Sequence, residues 1–385
     1  MYIQTKARLS YTKILFGGMA LLMAVLLIRY SHITMEHMRR GMLICVRTMI
    51  PSLFPFMVVS ELIVKSGAGE LASRYPARIL RPLLDVPDEG VCALILGWLC
   101  GFPVGSRAAA DYYRAGRLTK RQFHVIVCSC NVPSSAFLVS AVGVALFGNA
   151  SLGRWLVALA LVSSLAAGML FRFLLPRKNA WQYGVGQSAP RGEASQGQLL
   201  PMAITSAATG MLNVCATVLL FSAFVGTLMH TLDGLSIGGL ARAVIYGVFE
   251  LSTGVCEASA LCPPAVAAAL CAAIVGWAGL SVHCQMLAVC EGCPVAMGWF
   301  WLSRILQALL CGGGMILLIK TGLVQLDRLP ESTALRDMMV SGSAAWVGHF
   351  AHGFGMVCNV LFAVALVIAI RCYSMQNKKK RGCER

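Results

Sequence analysis

The chain has 385 residues, of which 58% are hydrophobic and only 12% charged, and its mean hydropathy is +0.73. Soluble proteins carry about 25% charged residues, so an ordinary soluble domain is excluded. The formal charge is +16. Lys and Arg lie in short segments between apolar runs, which reads as membrane topology and not as a nucleic-acid surface. The apolar runs are continuous and several reach the ~20 residues that cross a bilayer as a helix, whereas a barrel would need alternating strands. The expectation is an all-α polytopic membrane protein with about eight to ten transmembrane or broken, re-entrant helices.

In chain order, Lys6, Arg8 and Lys13 precede an apolar run from Ile14 to Ile28. No small-x-small cleavage site follows, so this reads as an uncleaved first span. Further spans or broken spans are predicted near 42–64, 91–105, 122–147, 153–175, 201–230, 237–252, 264–290, 297–320 and 345–370. Between two of them, Gly67–Gly90 sets Arg74, Arg78 and Arg81 beside Leu71, Ile79, Leu80, Leu83 and Leu84, with Pro76 and Pro82 as interruptions. That pattern reads as an amphipathic arm in the membrane interface. Segment 176–198 is rich in Gly, Ser and Gln and reads as a flexible linker. The tail 371–385 carries Lys378-Lys379-Lys380-Arg381, expected on the cytoplasmic side and attracted to anionic lipid.

The linker divides one integral membrane domain, 1–385, into two similar halves, 42–175 and 201–320, followed by the span 345–370. In the first half an apolar run halts at Gly101-Phe102-Pro103-Val104-Gly105, and Ser106, Arg107 and Asp111 follow at once. About 150 residues on, the run from Gly247 halts near Ser252-Thr253-Gly254, with Glu257 following. Some thirty residues beyond each lies another interruption, Asn131-Val132-Pro133-Ser134-Ser135 in one half and Gly279-Leu280-Ser281-Val282-His283-Cys284-Gln285 in the other. Interrupted helices at matching positions of two repeats are the best sequence pointer to a transporter's binding site.

Lipid offers no hydrogen-bond partner, so a broken helix at membrane depth must be buried in protein or line a wet cavity. A break also exposes N–H groups at a new helix N-terminus, which favour an anion. Ser106 is expected to cap the half-helix after Gly105, and Ser134 or Ser135 the one after Pro133. Ser252, Thr253 and Gly254, with Gly279 and Ser281, play the matching parts. Arg107 either faces a substrate or pairs with Asp111 at i,i+4. Arg47 is either a second substrate clamp or a snorkelling residue. Glu250 and Glu257 either bind a cation or proton or pair with Arg107 or Arg242. His283 is a proton-relay candidate.

Of the sixteen cysteines, Cys284, Cys290 and Cys293 lie near His283 at a spacing that weakly suits zinc; no metal site is assigned. No Walker A motif is present, the G-x-S-x-G at 234–238 lacks a strand–turn–helix setting, and neither an enzyme nor a cofactor is expected.

Four motifs carry a family resemblance: Pro51-Ser-Leu-Phe-Pro-Phe56, Gly101-Phe-Pro-Val-Gly-Ser-Arg107, Cys130-Asn-Val-Pro-Ser134 and Gly279-Leu-Ser-Val-His-Cys-Gln285. In this order they resemble the YlbJ (SpoVV) family of sporulation integral membrane proteins, in the wider nucleoside-recognition or Gate group. The resemblance implies export of dipicolinic acid, a small aromatic dicarboxylate, from the mother cell across the outer forespore membrane. On that basis the substrate-binding set is Phe102, Pro103, Gly105, Ser106, Arg107, Asn131, Pro133, Ser134, Ser135, Ser252, Thr253, Gly254, Gly279, Ser281 and Gln285. The coupling set is Arg47, Glu250, Glu257 and His283, serving a coupling ion or a proton. The alternatives are a sporulation membrane scaffold or assembly factor and, by analogy with the wider group, a nucleoside transporter.

Overall fold

A computed structural model describes residues 11–66, 68–175, 196–232 and 237–326. The predicted span 345–370, the basic tail and nearly all of the linker lie outside the described residues. Within them the chain forms fourteen α-helices and two π-helical segments. Four stretches are long and apolar enough to cross a membrane: Ala150–Leu174, Gly197–Thr231, Pro264–Val289 and Met297–Lys320. The chain is an integral membrane protein of the all-helical class.

Helices α1 (Tyr11–Arg29), α2 (Ser31–Ile44) and α3 (Ile50–Lys65) open the fold. A π-helical turn, Cys45–Met49, joins α2 to α3 immediately before Pro51. A proline donates no N–H and its ring crowds the carbonyl four residues back, so the helix widens there instead of stopping. Helix α4 (Ala68–Leu84) occupies the predicted arm and runs through both Pro76 and Pro82 without interruption, contrary to the expectation. Its buried face, Ala77, Leu80 and Leu84, holds it to the core. At its end Arg172 donates to the carbonyls of Pro82 and Leu83, groups a helix terminus leaves unpaired. The opposite face presents Tyr75, Ile79 and Arg78.

The rest of the first half comprises α5 (Asp88–Cys100), α6 (Val104–Arg114), α7 (Lys120–Cys130), the π-helical segment Phe137–Leu146 and α8 (Ala150–Leu174). Helix α7 starts at a capping box: Gln122 N–H donates to Thr119 Oγ1 and Thr119 N–H donates to Gln122 Oε1. Asn149 caps α8, its Oδ1 accepting from Leu152 N–H at 3.0 Å.

The second half starts with α9 (Gln196–Thr231), whose 36 residues span about 54 Å at 1.5 Å per residue. It is followed by α10 (Gly239–Phe249), α11 (Leu251–Leu261), α12 (Pro264–Trp277), α13 (Gly279–Val289) and α14 (Met297–Lys320). On α14, Ser303, Arg304, Gln307 and Cys311 face inward, while Trp301, Leu302, Ile305, Leu309 and Leu317 are exposed. An apolar outer face around a polar inner one is the arrangement expected where lipid is the solvent.

Candidate functional site

Each half contains a helix hairpin followed by an interrupted helix. In the first hairpin the position a Gly105 Cβ would take is 2.7 Å from Gly97 Cα, Tyr112 Oη donates to Cys92 Sγ at 3.5 Å, and Arg117 Nη2 meets Glu89 Oε1 at 2.5 Å. Partner numbers fall as the chain rises, so α5 and α6 run antiparallel. In the second hairpin Gly254 lies against Gly247, and Gly239 lies against Leu261, with 2.9 Å from its Cβ position to the Leu261 carbonyl. Helices α10 and α11 are therefore antiparallel as well. A Cβ on Gly105 would run into the backbone of Gly97, one on Gly254 into that of Gly247, and one on Gly97 into the Cys130 carbonyl, which accounts for glycine at those three positions; at Gly247 a Cβ would meet the Ile274 side chain.

The interrupted helices receive the hairpin tips. Phe102 N–H donates to the Val132 carbonyl at 3.0 Å, so the first tip is bonded to the extended stretch between α7 and the segment that starts at Ser135. The second tip, Glu250–Leu251, touches the break between α12 and α13. There Ala278 and Gly279 both have positive φ, and a Cβ on Gly279 would come within 2.9 Å of Leu251 N. Trp277 Nε1 also donates to the Val248 carbonyl at 3.0 Å.

One cavity joins the two halves. It encloses about 440 Å³, space open to solvent included. The first half contributes Phe102 from the hairpin tip, and Pro133, Ser134 and Phe137 from the interrupted helix. The second half contributes Glu250, Leu251 and Ser252 from its tip, and Val282 and Gln285 from α13. Met49, Leu53 and Val218 complete the wall. Its polar groups are two hydroxyls, one amide and one carboxylate in a mostly apolar lining, the usual make-up of a small-molecule site.

Ser134 caps as expected, its Oγ accepting from Phe137 N–H at 3.3 Å. Ser135 begins the helix that follows. Gln285 is 2% exposed and its Oε1 has no partner among the described residues. Ser281, four residues earlier on the same helix face, is fully buried with an unpartnered Oγ. Buried polar atoms are normally hydrogen-bonded, so this pair marks a stripe on α13 that the protein itself leaves unsatisfied.

Several expectations are corrected. Ser106 does not cap α6. That helix begins at Val104 after a cis Phe102–Pro103 bond, Arg107 N–H donates to the Pro103 carbonyl, and the Ser106 hydroxyl donates to Asn131 Oδ1 at 2.9 Å. Pro103 brings no N–H, which makes it suited to the start of a helix, and a serine in the first turn is left to bond across to the neighbouring break. Asn131 is wholly buried and returns its own Nδ2 to the Val127 carbonyl at 2.8 Å.

Arg107 turns neither to the cavity nor to Asp111. Its Nε meets Glu61 Oε1 at 2.9 Å, and its Nη1 and Nη2 donate to the Ser206 carbonyl and hydroxyl at 3.1 and 2.8 Å. Two anchors on neighbouring helices, one charged, outcompete a solvent-screened i,i+4 partner. Asp111 pairs with Arg114 at 2.9 Å. Glu250 does not pair with Arg107: its carboxylate accepts from Ser252 N–H and Thr253 N–H at 3.0 and 2.6 Å and from the Thr253 hydroxyl at 2.9 Å. It is the N-cap of α11, a place where a carboxylate meets both free N–H groups and the positive helix end. Thr253 and Gly254 support that tip and are not part of the lining.

Glu257 is half-buried on α11 and is not among the lining residues. His283, 2% exposed, points to the Trp277 carbonyl through Nε2 at 3.1 Å and packs edge-on against Trp277 and Phe300, outside the cavity. Arg47 lies in the π-helical turn before α3. The cysteines near His283 go separate ways: Cys290 Sγ to the Ser106 carbonyl, Cys293 Sγ to the Ala110 carbonyl, and Cys284 to the exposed surface.

Sequence reasoning missed Arg304 and Gln307. Gln307 Nε2 donates to the Cys128 carbonyl at 2.9 Å, and Arg304 Nη1 to the Asn131 carbonyl at 2.6 Å. A lone arginine inside the apolar run 297–320 is itself a signal, because charge at membrane depth is rare and has a partner. Ser206 had no such signal.

Residues 46–150 match the family model described as Gate: Nucleoside recognition. That stretch contains the first hairpin and the break at 131–134. Over 96% of its length the chain is 24% identical to the sporulation integral membrane protein YlbJ of Bacillus subtilis (strain 168), covering 98% of that protein. No solved structure matches the chain.

Proposed function

We propose that this protein is a secondary transporter or facilitator for a small organic anion and that the cavity between the hairpin tips is its binding site. One observation carries the reading: a single cavity draws its wall from both hairpin tips and both interrupted helices. In transporters such discontinuous helices hold the substrate between the two halves. The helices that start at Ser135 and at Gly279 begin beside the lining residues Ser134 and Val282, and a helix start favours a carboxylate. Gln285 in the wall, and Ser281 one turn before it on α13, carry oxygens that have no partner among the described residues. Phe102, Phe137 and Val282 offer apolar surface for a flat ring.

Dipicolinate is the proposed substrate. Its two carboxylates suit the helix starts at the breaks, and the relative along nearly the whole chain is named as a sporulation protein. The proposed location is accordingly the outer forespore membrane, with export from the mother cell. Glu250 shapes the mechanism. Its carboxylate lies in the cavity wall, so a dicarboxylate bound nearby needs a proton or a cation to relieve the repulsion. Coupling to a proton or a cation is therefore part of the proposal, with Glu250 in the cavity and Glu257 and His283 outside it.

The test is uptake of labelled dipicolinate by proteoliposomes holding the full chain, with and without a pH gradient. Uptake by the wild type, and its loss in Gln285→Leu and Ser134→Ala at unchanged protein content, is the expected result. Wild-type vesicles that take up no dipicolinate under either condition would discard the reading. A nucleoside is the second reading, favoured by the family model over 46–150, which contributes Phe102, Pro133 and Ser134 to the wall. Uridine that blocks uptake, or is itself carried, would favour it.

A further inference from the structure

Arg304 is among the largest side chains that the described residues bury completely, with 1% exposure. Its Nη1 donates to the Asn131 carbonyl at 2.6 Å and to Gln307 Oε1 at 3.0 Å. Its Nη2 donates to the carbonyls of Gly276 and, at 3.4 Å, Val275, and Nε to that of Trp277 at 3.4 Å. No carboxylate among the described residues pairs with it. The bonds therefore go to the carboxyl-terminal ends of two helices, α7 and α12, which are the interrupted helices of the two halves.

We infer that Arg304 is a positioning residue that makes the cavity selective for anions by cancelling the negative ends of both breaks. An interruption in a helix creates a pair of opposite poles, a carbonyl end worth roughly −0.5 charge and an N–H end worth roughly +0.5. Left alone, the negative pole of a break offsets part of the pull that its positive pole exerts on an anion nearby. One guanidinium set against two carbonyl ends matches their sum of roughly −1. The N–H ends at Ser134–Ser135, where a neutral serine is the cap, and at Gly279–Ser281 then keep their positive poles beside the cavity that Ser134, Val282 and Gln285 line. At the second hairpin tip the corresponding N–H end of α11 is already taken by Glu250. Anion preference thus arises at the interrupted helices, through a cation that never touches the ligand. Arg107, the cation nearest the first tip in sequence, is engaged with Glu61 and Ser206 instead.

The inference rests on the reading of the cavity as an anion site, and the experiment separates the two. Binding of pyridine-2,6-dicarboxylate and of its uncharged diamide is measured on purified full-length protein in nanodiscs, with thermal melting run in parallel. The wild type is expected to prefer the dianion. Arg304→Gln is expected to lose that preference by about tenfold or more, since a buried helix-end interaction is worth that much, while diamide binding changes less. Arg304→Lys keeps the charge with fewer donors and is expected to retain the preference even where melting falls. Should Arg304→Gln fail to fold, Arg304→Lys and Gln307→Met decide: both leave the charge in place, and both are expected to keep the preference. Preference surviving in Arg304→Gln, parallel loss of both ligands, or preference lost in Arg304→Lys would overturn the inference. A wild type that binds diamide and dianion alike overturns it alone, and a wild type that binds neither overturns the transporter reading with it.

Discussion

The α5–α6 hairpin and the α10–α11 hairpin reach the same cavity with tips of opposite chemistry. Both bring two short helices together over glycines, and both rest their tips on an interrupted helix. The first carries its cation, Arg107, one turn beyond the tip and turns it outward to Glu61 on α3 and Ser206 on α9. The second carries its anion, Glu250, at the tip itself, where it caps α11 and faces the cavity. The difference teaches that a charge beside a break is not evidence of a ligand group. The arginine that looked made for an anion fastens a hairpin, and the glutamate beside the second break belongs to the wall.

The largest expected effect tests whether the hairpins are built alike. Gly105→Leu and Gly254→Leu each force a side chain into the backbone of Gly97 or Gly247, an overpacking that costs about 3 kcal/mol or more. Folded protein on size-exclusion chromatography should fall to background for both. A tolerated leucine at either position would show that its hairpin opens where the other cannot.

Next comes the cavity against its surroundings. Gln285→Leu removes an amide whose Oε1 has no partner among the described residues, so uptake should fall roughly tenfold or more, with melting nearly unchanged. A large drop in melting temperature would mean that the amide is structural. At the second tip, Glu250→Ala should destabilise by about 1 kcal/mol through loss of a cap, whereas Glu250→Gln keeps an acceptor and should cost less. Equal melting of the two variants would remove the capping role.

At the first tip, a double-mutant cycle of Arg107→Ala with Glu61→Gln should give a coupling of about 0.5–1 kcal/mol in stability, because the pair is only partly shielded from solvent, with side-chain exposures of 26% and 10%. Additive effects would argue that the pair does not hold the hairpin. Smallest of all, Asp111→Asn removes an exposed i,i+3 partner of Arg114 and should change melting by no more than about 0.5 kcal/mol.

What the sequence determined by itself is local. Apolar content and run length decide for membrane helices, and Gly, Pro and Asn within those runs decide where helices break, because φ freedom and a missing N–H act on their own residue and its immediate neighbours. Three of the interruptions were legible for that reason, and so was the capping by Ser134; the fourth, expected at Ser252–Gly254, falls instead at Glu250, where no Gly, Pro or Asn stands and the carboxylate caps α11. Packing could still override the local signal, as in α4, which continues through Pro76 and Pro82 because its buried face holds it. Only the tertiary structure decided who meets whom. Arg107 finds Ser206 at a separation of 99 residues, Gln307 finds Cys128 at 179, and Arg304 finds Asn131 at 173. A buried donor takes whichever acceptor the packing brings within about 3 Å, and that choice depends on the arrangement of the helices around it and not on the residues beside it in the chain.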